Sequence, residues 1–370
     1  KKWTPDIIIG WGIIPCYVTE LYSSALILEA EHSALFRLYN EADTFFFPRN
    51  SAIYSDLFSY IKQIDLSEDI ELSLKSLRKK IIEIADPLNI IEKNYFGENI
   101  KDKKIIFYPG HFPSPYSLRF SRYLNDEEII SDILLHSPDD AIILYLKHPL
   151  TKDEDIPSIV KLSEKVIDIS SLSKSDPQIL LKAIMVCDLF VNSHSKSSFL
   201  AFILEKPVIE VDNFYYKDFA INSLSDIPQI LKDTTFYLPI QVLQKKLIYF
   251  ILTHTISQRL LQCEKLYKHI ILNIYTAYTE RKFDTLFNTM TVDEVCEKIH
   301  NTLIENSNKI NRIPTEYDKI KACIISPKYK NICFDIFDTL VWRPFNKPTD
   351  IFYMMSRDVS SILHDECFDF

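Results

Sequence analysis

Lys104-Ile105-Ile106-Phe107-Tyr108-Pro109-Gly110-His111 is the stretch on which the fold turns. Lys104–Tyr108 is a short, almost wholly apolar run closed by a Pro-Gly turn, which predicts a buried strand that delivers His111 at its C-terminal end. The same layout recurs twice. Ala141–Leu146 runs into Lys147-His148-Pro149, and Leu189–Asn192 runs into Ser193-His194-Ser195-Lys196-Ser197-Ser198. Amphipathic stretches at Asp126–His136, Asp176–Val186 and Ser195–Leu204 separate or follow these runs, the pattern of parallel α/β layers. In such sheets ligands bind beyond the carboxyl ends of the strands, so the three post-strand segments are the first candidates for function.

Working outward, Asp6–Gly10, Ala25–Glu31, Asp43–Phe47, Lys165–Ile169 and Pro207–Val211 read as further buried strands. The helical pattern of Ile70–Ile84 lies within connecting helices over Ile70–Glu92. Asp102–Lys104 opens a second α/β unit, so two halves are expected to abut near residue 100. Residues 240–305 carry long helical periodicity, Glu305–Lys330 reads as a linker, and Asn331–Phe337 is one more strand, followed by a helix from about Thr349. The expected domains are 1–98 and 99–237 as Rossmann-like halves, 238–310 as a helical region, and 311–370 as linker and the start of another domain.

Composition narrows the function. Only 4 of 370 residues are glycine (Gly10, Gly12, Gly97 and Gly110), far below the roughly 7% of average usage. Neither a G-x-G-x-x-G dinucleotide loop nor a phosphate-binding P-loop can be assembled from them. A formal charge of −9 argues against general nucleic-acid binding. The 7 cysteines are scattered without a C-x-x-C pair, which fits a reducing cytosol better than a disulfide framework or a zinc site. Leu247–Leu252, the longest candidate for a membrane segment, is far short of the ~20 apolar residues a span needs. No signal peptide is visible, and a start at Lys1 rather than Met fits a piece of a longer protein.

Ser193–Ser198 gathers hydroxyls and backbone N–H groups at an expected helix start, where an anion can bind without glycine. Lys147 and His148 would add a cation and a proton-bearing group. Read singly, the serines are an N-cap and His-Pro is a turn; the joint placement at successive strand ends favours a site. His111, His148 and His194 could also suggest a metal centre, but no acidic ligand or i, i+4 spacing accompanies them, and no metal is expected.

In their order these motifs resemble the capsule-synthesis β-Kdo transferases. Gly10-Trp11-Gly12 stands for that family's G-W-G, Glu31-His32-Ser33 for its E-D-G, and Ala52-Ile53-Tyr54-Ser55-Asp56 for its I-Y-Y-D stretch. Pro109-Gly110-His111 matches P-G-Q and Lys147-His148-Pro149 matches K-P-H-P. Ser195 through Ala201 stand at S-x-x-G-x-E-A, followed by Lys206-Pro207-Val208 and Asn213-Phe214-Tyr215-Tyr216. The likeness covers roughly residues 7–220. Bacterial sialyltransferases, which also use CMP-sugars, have comparable His-Pro and Ser motifs.

The resemblance implies a GT-B-like pair of Rossmann-like domains around a cleft, with the donor held mainly by the second half. It implies transfer of a sugar, Kdo from CMP-Kdo in the family, to a growing capsule or cell-surface glycan in bacteria. Glu31 and His32 would do the acid–base or nucleophilic work. Gly12, His111, Lys147, His148, Ser193, Ser195 and Ser198 would bind the donor. The family's Asp is His32 here, its Gly is Ser33 and its Glu is Leu200. A neutral imidazole can still serve as a base; a degenerate glycan-binding or scaffold module is the alternative. No cofactor is expected for the transferase, because basic side chains and helix dipoles stabilise a leaving phosphate.

Cys333-Phe334-Asp335-Ile336-Phe337-Asp338-Thr339-Leu340 resembles motif I of haloacid-dehalogenase-like phosphatases. There Asp335 would be a phosphoryl nucleophile, with Mg²⁺ offsetting its charge. The usual acid–base Asp position is Phe337, and Asp338 stands one place on. Only 32 residues follow Asp338, too few for the rest of such a domain, so this part is expected to be truncated and inactive here, with Mg relevant only to a complete domain in a longer parent. A phosphatase in that parent is the other alternative.

The expected partners are a nucleotide-sugar donor and an anionic or lipid-linked glycan acceptor, with no nucleic acid. Residues 240–285 carry Lys245, Lys246, Arg259, Lys265, Lys268, Arg281 and Lys282 against Glu264, Glu280 and Asp284, a balance of 7 − 3 = +4. That stripe could meet an anionic glycan or the inner face of the cytoplasmic membrane, or be a solvated face. The expected location is cytoplasmic, with peripheral membrane association.

Overall fold

The computed structural model describes residues 5–11, 18, 21–32, 35, 38, 43–86, 91–97, 100–112, 121–212 and 216–309. The chain divides into two units at Ser307, and all contacts below lie within the first. The D-x-F-D-T-L segment with Asp335 and Asp338, and the expected domain start at 311–370, lie outside the described residues.

The first sheet has the order β1-β2-β3, formed by Ile7–Gly10, Leu26–His32 and Thr44–Pro48. β1 and β2 run parallel, with Ile7 opposite Leu26 and Gly10 opposite Glu29. The expectation of parallel layers throughout fails at β3, which is antiparallel to β2 with Glu31 opposite Phe45. Only residues 33–43 connect the two strands, and a parallel crossover needs about a dozen residues or more.

The second sheet is wholly parallel. Its strands are β4 (Lys104–Pro109), β5 (Ala141–Leu146), β6 (Val166–Asp168), β7 (Leu189–Asn192) and β8 (Val208–Glu210), in the order β6-β5-β4-β7-β8. The chain winds one way from β4 through β5 to β6, then returns to place β7 on the other side of β4. The order therefore reverses between β4 and β7, where Ile106 lies opposite Leu189. Connections on the two sides leave a crevice at such a reversal.

Helices cover both faces of this sheet, which explains its unbroken apolar strands. Ile105, Phe107, Leu144 and Phe190 point into one core, shared with the first sheet. Ile106, Tyr108, Ile143, Tyr145 and Val191 point into the other. The connecting helices are α1 (Ser51–Gln63) and α2 (Glu68–Ala85), then α3 (Asp126–His136), α4 (Ser158–Leu162), α5 (Ile179–Val186), α6 (Ser197–Ile203) and α7 (Ile227–Lys232). Ser67 caps α2 by accepting from the Ile70 N–H, and Glu68, Asp69 and Glu71 in the first turn suit the positive end of the helix dipole. Leu74, Leu77, Ile81 and Ala85 form its buried stripe.

From residue 238 the chain crosses back to the first sheet through α8 (Leu238–Thr253), α9 (Gln258–Leu261), α10 (Glu264–Glu280) and α11 (Val292–Lys309). Thr44 pairs with Ile256, and Tyr278 Oη donates to the Phe46 carbonyl at 3.2 Å. The fully buried Asp43 carboxylate is paired with Lys298 at 2.7 Å and accepts from the Gln258 N–H at 3.1 Å. α11 runs on to Lys309, so the expected linker at Glu305–Lys330 begins inside a helix. The asparagines there favour turns but cannot stop a helix as proline does. The predicted α/β architecture with a helical C-terminal region is present.

Candidate functional site

Three strand ends meet at the reversal in the second sheet. β4 delivers Gly110 and His111, β7 delivers Ser193 and His194, and β8 delivers Asp212. Asp126, the first residue of α3, lies beneath the β4 turn. It accepts from Tyr108 Oη at 2.6 Å, Tyr145 Oη at 2.9 Å and the His111 N–H at 2.9 Å. A methyl group on Gly110 would stand 2.7 Å from Asp126 Oδ2 and 2.9 Å from Tyr145 Oη, so this close approach requires glycine.

Asp212 organises the other side. It accepts from Ser193 Oγ at 2.5 Å, Ser121 Oγ at 3.1 Å and the Arg122 N–H at 2.6 Å, and it faces His194 Nε2 at 3.4 Å. His194 holds a left-handed backbone with φ of 53°, a conformation tolerated by His more readily than by β-branched residues but still costly. Its ring lies 5.6 Å from the ring of His111, centroid to centroid. His111 is only 6% exposed, and among the described residues neither ring nitrogen has a hydrogen-bond partner.

Burial is the main influence on both imidazoles. It pushes His111 below the usual histidine value against the pull of Asp126 and Asp212. It pushes His194 down to about 4, where Asp212 opposes the shift and His111 adds to it. Burial therefore favours the neutral form of both rings, beside the side chains of Asp126 and Asp212.

A second layer holds the β7 loop. Glu210, fully buried at the end of β8, accepts from Asn192 Nδ2 at 3.1 and 2.9 Å and from the Ser198 hydroxyl. Asn192 Nδ2 also donates to the Ser195 carbonyl at 2.9 Å. Burial raises the Glu210 carboxyl to about 8, against the Ser198 and Asn192 hydrogen bonds.

The first sheet supplies the facing wall. Glu31 and His32 end β2, and Lys196 of the β7 loop pairs with Glu31 across the two halves. Trp11 stacks edge-on to His32 at 4.4 Å, while Lys196 Nζ lies 5.8 Å over the Trp11 ring. Burial and then the Lys196 charge lower the His32 pKa, with Glu31 opposing them. The Lys196–Glu31 ion pair thus ties the end of β2, with Glu31 and His32, to the loop that follows His194.

No protein-family model matches the chain, and no curated protein matches it. Solved structures similar to it include the KpsC β-Kdo 2,7 transferase of Thermosulfurimonas dismutans, at 17% identity and a TM-score of 0.40, covering 72% of this chain and 85% of that one. The β-Kdo 2,4 transferase of the same KpsC is similar at 14% identity and a TM-score of 0.38, covering 61% and 79%. The wall teichoic acid polymerase TagF is similar at 14% identity and a TM-score of 0.31, covering 47% of this chain and 46% of that one. At these TM-scores the likenesses carry no argument about activity.

The predicted residues fare differently. Glu31, His32, His111, Ser193 and Ser195 all fall in or beside the inter-half region just described, and Gly12 lies outside the described residues. Lys147 has its ammonium against the Thr151 carbonyl at 2.7 Å and Asp153 at 2.8 Å. His148 sits in a turn, its Nδ1 accepting from the Leu150 N–H at 3.2 Å and its ring beside Phe112.

The serines at the start of α6 have partners within the fold. Ser198 is fully buried, with its hydroxyl turned to Glu210. The N–H groups of Ser197, Ser198 and Phe199 already have acceptors at Ser195 Oγ, the Ser195 carbonyl and the Lys196 carbonyl. α6 has 7 residues, too few for a strong dipole. Among the described residues, no group of three or more His, Cys, Asp and Glu could hold a metal ion.

Several residues of the basic stripe have partners within the chain. Lys245 pairs with Glu205, Lys268 with Glu264, Arg281 with Asp56 and Lys282 with Glu280, and Lys246 donates to the Lys62 carbonyl. No helix among the described residues is long and apolar enough to cross a membrane.

Sequence reasoning missed Asp126, Lys196, Glu210 and Asp212 as members of the site. A signal existed for two of them. Glu210 and Asp212 interrupt the apolar run Pro207–Val211 and its exit, and acids beside a strand buried on both faces need a specific partner.

Proposed function

We propose that the chain is a glycosyltransferase of bacterial cell-surface or capsule polysaccharide synthesis that moves a sugar, Kdo from CMP-Kdo, to a glycan acceptor. The observation that supports this reading is the ion pair of Lys196 with Glu31, which joins the end of β2, with its Glu31 and His32, to the β7 loop that carries His194. The order of sequence motifs over residues 7–220 supplies the donor class.

In this reading the nucleotide phosphate lies by His111, His194 and Ser193, and the sugar lies toward Trp11, Glu31 and His32. The acceptor hydroxyl gives its proton to neutral His32 as its oxygen bonds to the anomeric carbon. The bond from that carbon to the phosphate oxygen breaks, and the electron pair leaves with the nucleotide. Glu31 stabilises the charge that develops on the sugar and on His32. Donor charge is offset at the second sheet, where the low dielectric strengthens each contact.

Calorimetry with CMP, UDP and GDP, followed by a transfer assay with CMP-Kdo, tests the proposal. CMP is expected to bind. Glu31→Gln and His32→Gln are each expected to slow transfer by about 10²-fold or more, the scale of acid–base catalysis. Transfer that survives both substitutions would overturn the assignment. The burial of Leu200 in α6, where the family motif has a glutamate, favours the alternative of a glycan-binding module. That alternative predicts glycan binding without nucleotide binding.

A further inference from the structure

The histidine pair poses a charge problem for the ligand assigned to it, and the inference drawn from it rests on that proposed donor site. His111 is more than nine-tenths buried, with both ring nitrogens unpartnered among the described residues, an arrangement that costs free energy unless something fills the site. The groups that face it are Asp126 from α3, His194 from the β7 exit and Asp212 from the β8 exit. Among the described residues, those facing His194 include Asp212 and His111. The tyrosine hydroxyls of β4 and β5 are turned to Asp126, and the nearest ammonium on the β7 loop, Lys196, is held by Glu31. The described groups that face the pair are the carboxyls of Asp126 and Asp212, and a phosphate anion is held more strongly there once the site gains positive charge.

We propose that the His111–His194 pair takes up a proton when a nucleotide phosphate binds, so that donor binding and imidazole protonation are one coupled event. The proton comes from the buffer acid, which is left as its conjugate base, and no bond to the nucleotide changes. Asp126 and Asp212 stabilise the imidazolium once it forms, and the phosphate supplies the remaining attraction through charge-assisted hydrogen bonds. Burial favours the neutral form of both rings, and His111 adds to the effect at His194. The coupling has a sign. Binding weakens as pH rises, by up to about tenfold per unit for each proton taken up.

Calorimetry of CMP with the full chain at pH 7.5, in three buffers of different ionisation enthalpy, measures the uptake directly. This pH is above the phosphate's own second pKa of about 6, so the nucleotide contributes little. The expected slope corresponds to about one proton taken up per CMP bound. His111→Asn and His194→Asn are each expected to reduce that slope by at least about half and to flatten the pH dependence between 7 and 8. Circular dichroism and thermal unfolding show whether each variant is folded; if one is not, His111→Gln and the pH dependence of the parent chain decide the matter.

CMP binding with no proton uptake would overturn the inference and leave the donor site standing. An unchanged slope in both folded variants would also overturn it, by placing the titrating group elsewhere. If none of CMP, UDP and GDP binds, the proposed function falls and the coupling falls with it.

Discussion

Replacing Gly110 with alanine should destabilise the protein by about 2–4 kcal/mol through steric overlap. The added methyl would lie 2.7 Å from Asp126 Oδ2, 2.9 Å from Tyr145 Oη and 3.0 Å from Tyr145 Cε2, where comfortable carbon contacts are about 3.5–4.0 Å. Neither neighbour can retreat freely. Tyr145 is fully buried, and Asp126 is held by the two tyrosine hydroxyls and the His111 N–H. Overpacking of this kind costs about 1–3 kcal/mol, and breaking a hydrogen bond to a charged group adds about 1.5–3 kcal/mol. Part of that sum is alternative rather than additive. Urea unfolding reads the loss as a lower midpoint at constant slope. CMP calorimetry should show weaker binding as well, because a shifted Asp126 releases the N–H of His111. A loss below about 0.5 kcal/mol, within the range of ordinary surface changes, would refute the claim that close approach dictates this glycine.

Three further outcomes follow from the electrostatics. Lys196→Met should raise the His32 pKa, since the lysine charge is one of the two causes holding it down; an NMR titration of the imidazole reads this, and an unmoved or lower value would contradict the pairing. Glu210 is raised to about 8 in the folded chain, so its contribution to stability is present at acid pH and is lost as pH rises toward 8, by up to about 1.4 kcal/mol per unit. Glu210→Gln should therefore lose less stability than the parent between pH 5 and 8, as measured by urea midpoints; parallel curves would show that this carboxyl ionises normally. Lys298→Met strands the fully buried Asp43 carboxylate and should cost about 3 kcal/mol; equal stability to the parent would mean that α11 does not depend on this pair.

The second sheet was legible in the sequence because each of its strands is apolar on both faces. Ala141–Leu146 and Leu189–Asn192 coincide with β5 and β7, and Asp126–His136 coincides with α3. Strand direction in the first sheet was less legible, since apolar runs say nothing of whether a chain turns or crosses over; β3 was decided by the length of 33–43.

The site was half legible. His111 and Ser193 stand at strand ends that the alternation of elements exposes. Lys147 stands at such an end as well, but the nearby Asp153 claims its charge, and spacing cannot reveal which local acid a lysine will choose. The serine contacts were hidden for a related reason: short polar side chains also satisfy neighbouring backbone groups, and spacing does not show which. Asp126 was hidden because an acid at the start of a helix is ordinary; only the tertiary approach of Tyr108 and Tyr145 makes it unusual.

The return of α8, α10 and α11 to the first sheet has a consequence for how the molecule is made. Phe45 meets Phe250, Phe46 receives the hydrogen bond of Tyr278, and Asp43 meets Lys298, so residues synthesised early are completed by residues synthesised some 200 or more positions later. On the ribosome the five parallel strands are all available before this cover emerges, so the half that begins the chain is the last to close. Until then β3 shows its phenylalanines to water, an exposed apolar edge of the kind that recruits chaperones or other chains. A chain that ends before α11 leaves Asp43 without Lys298 and the oldest strands unfinished.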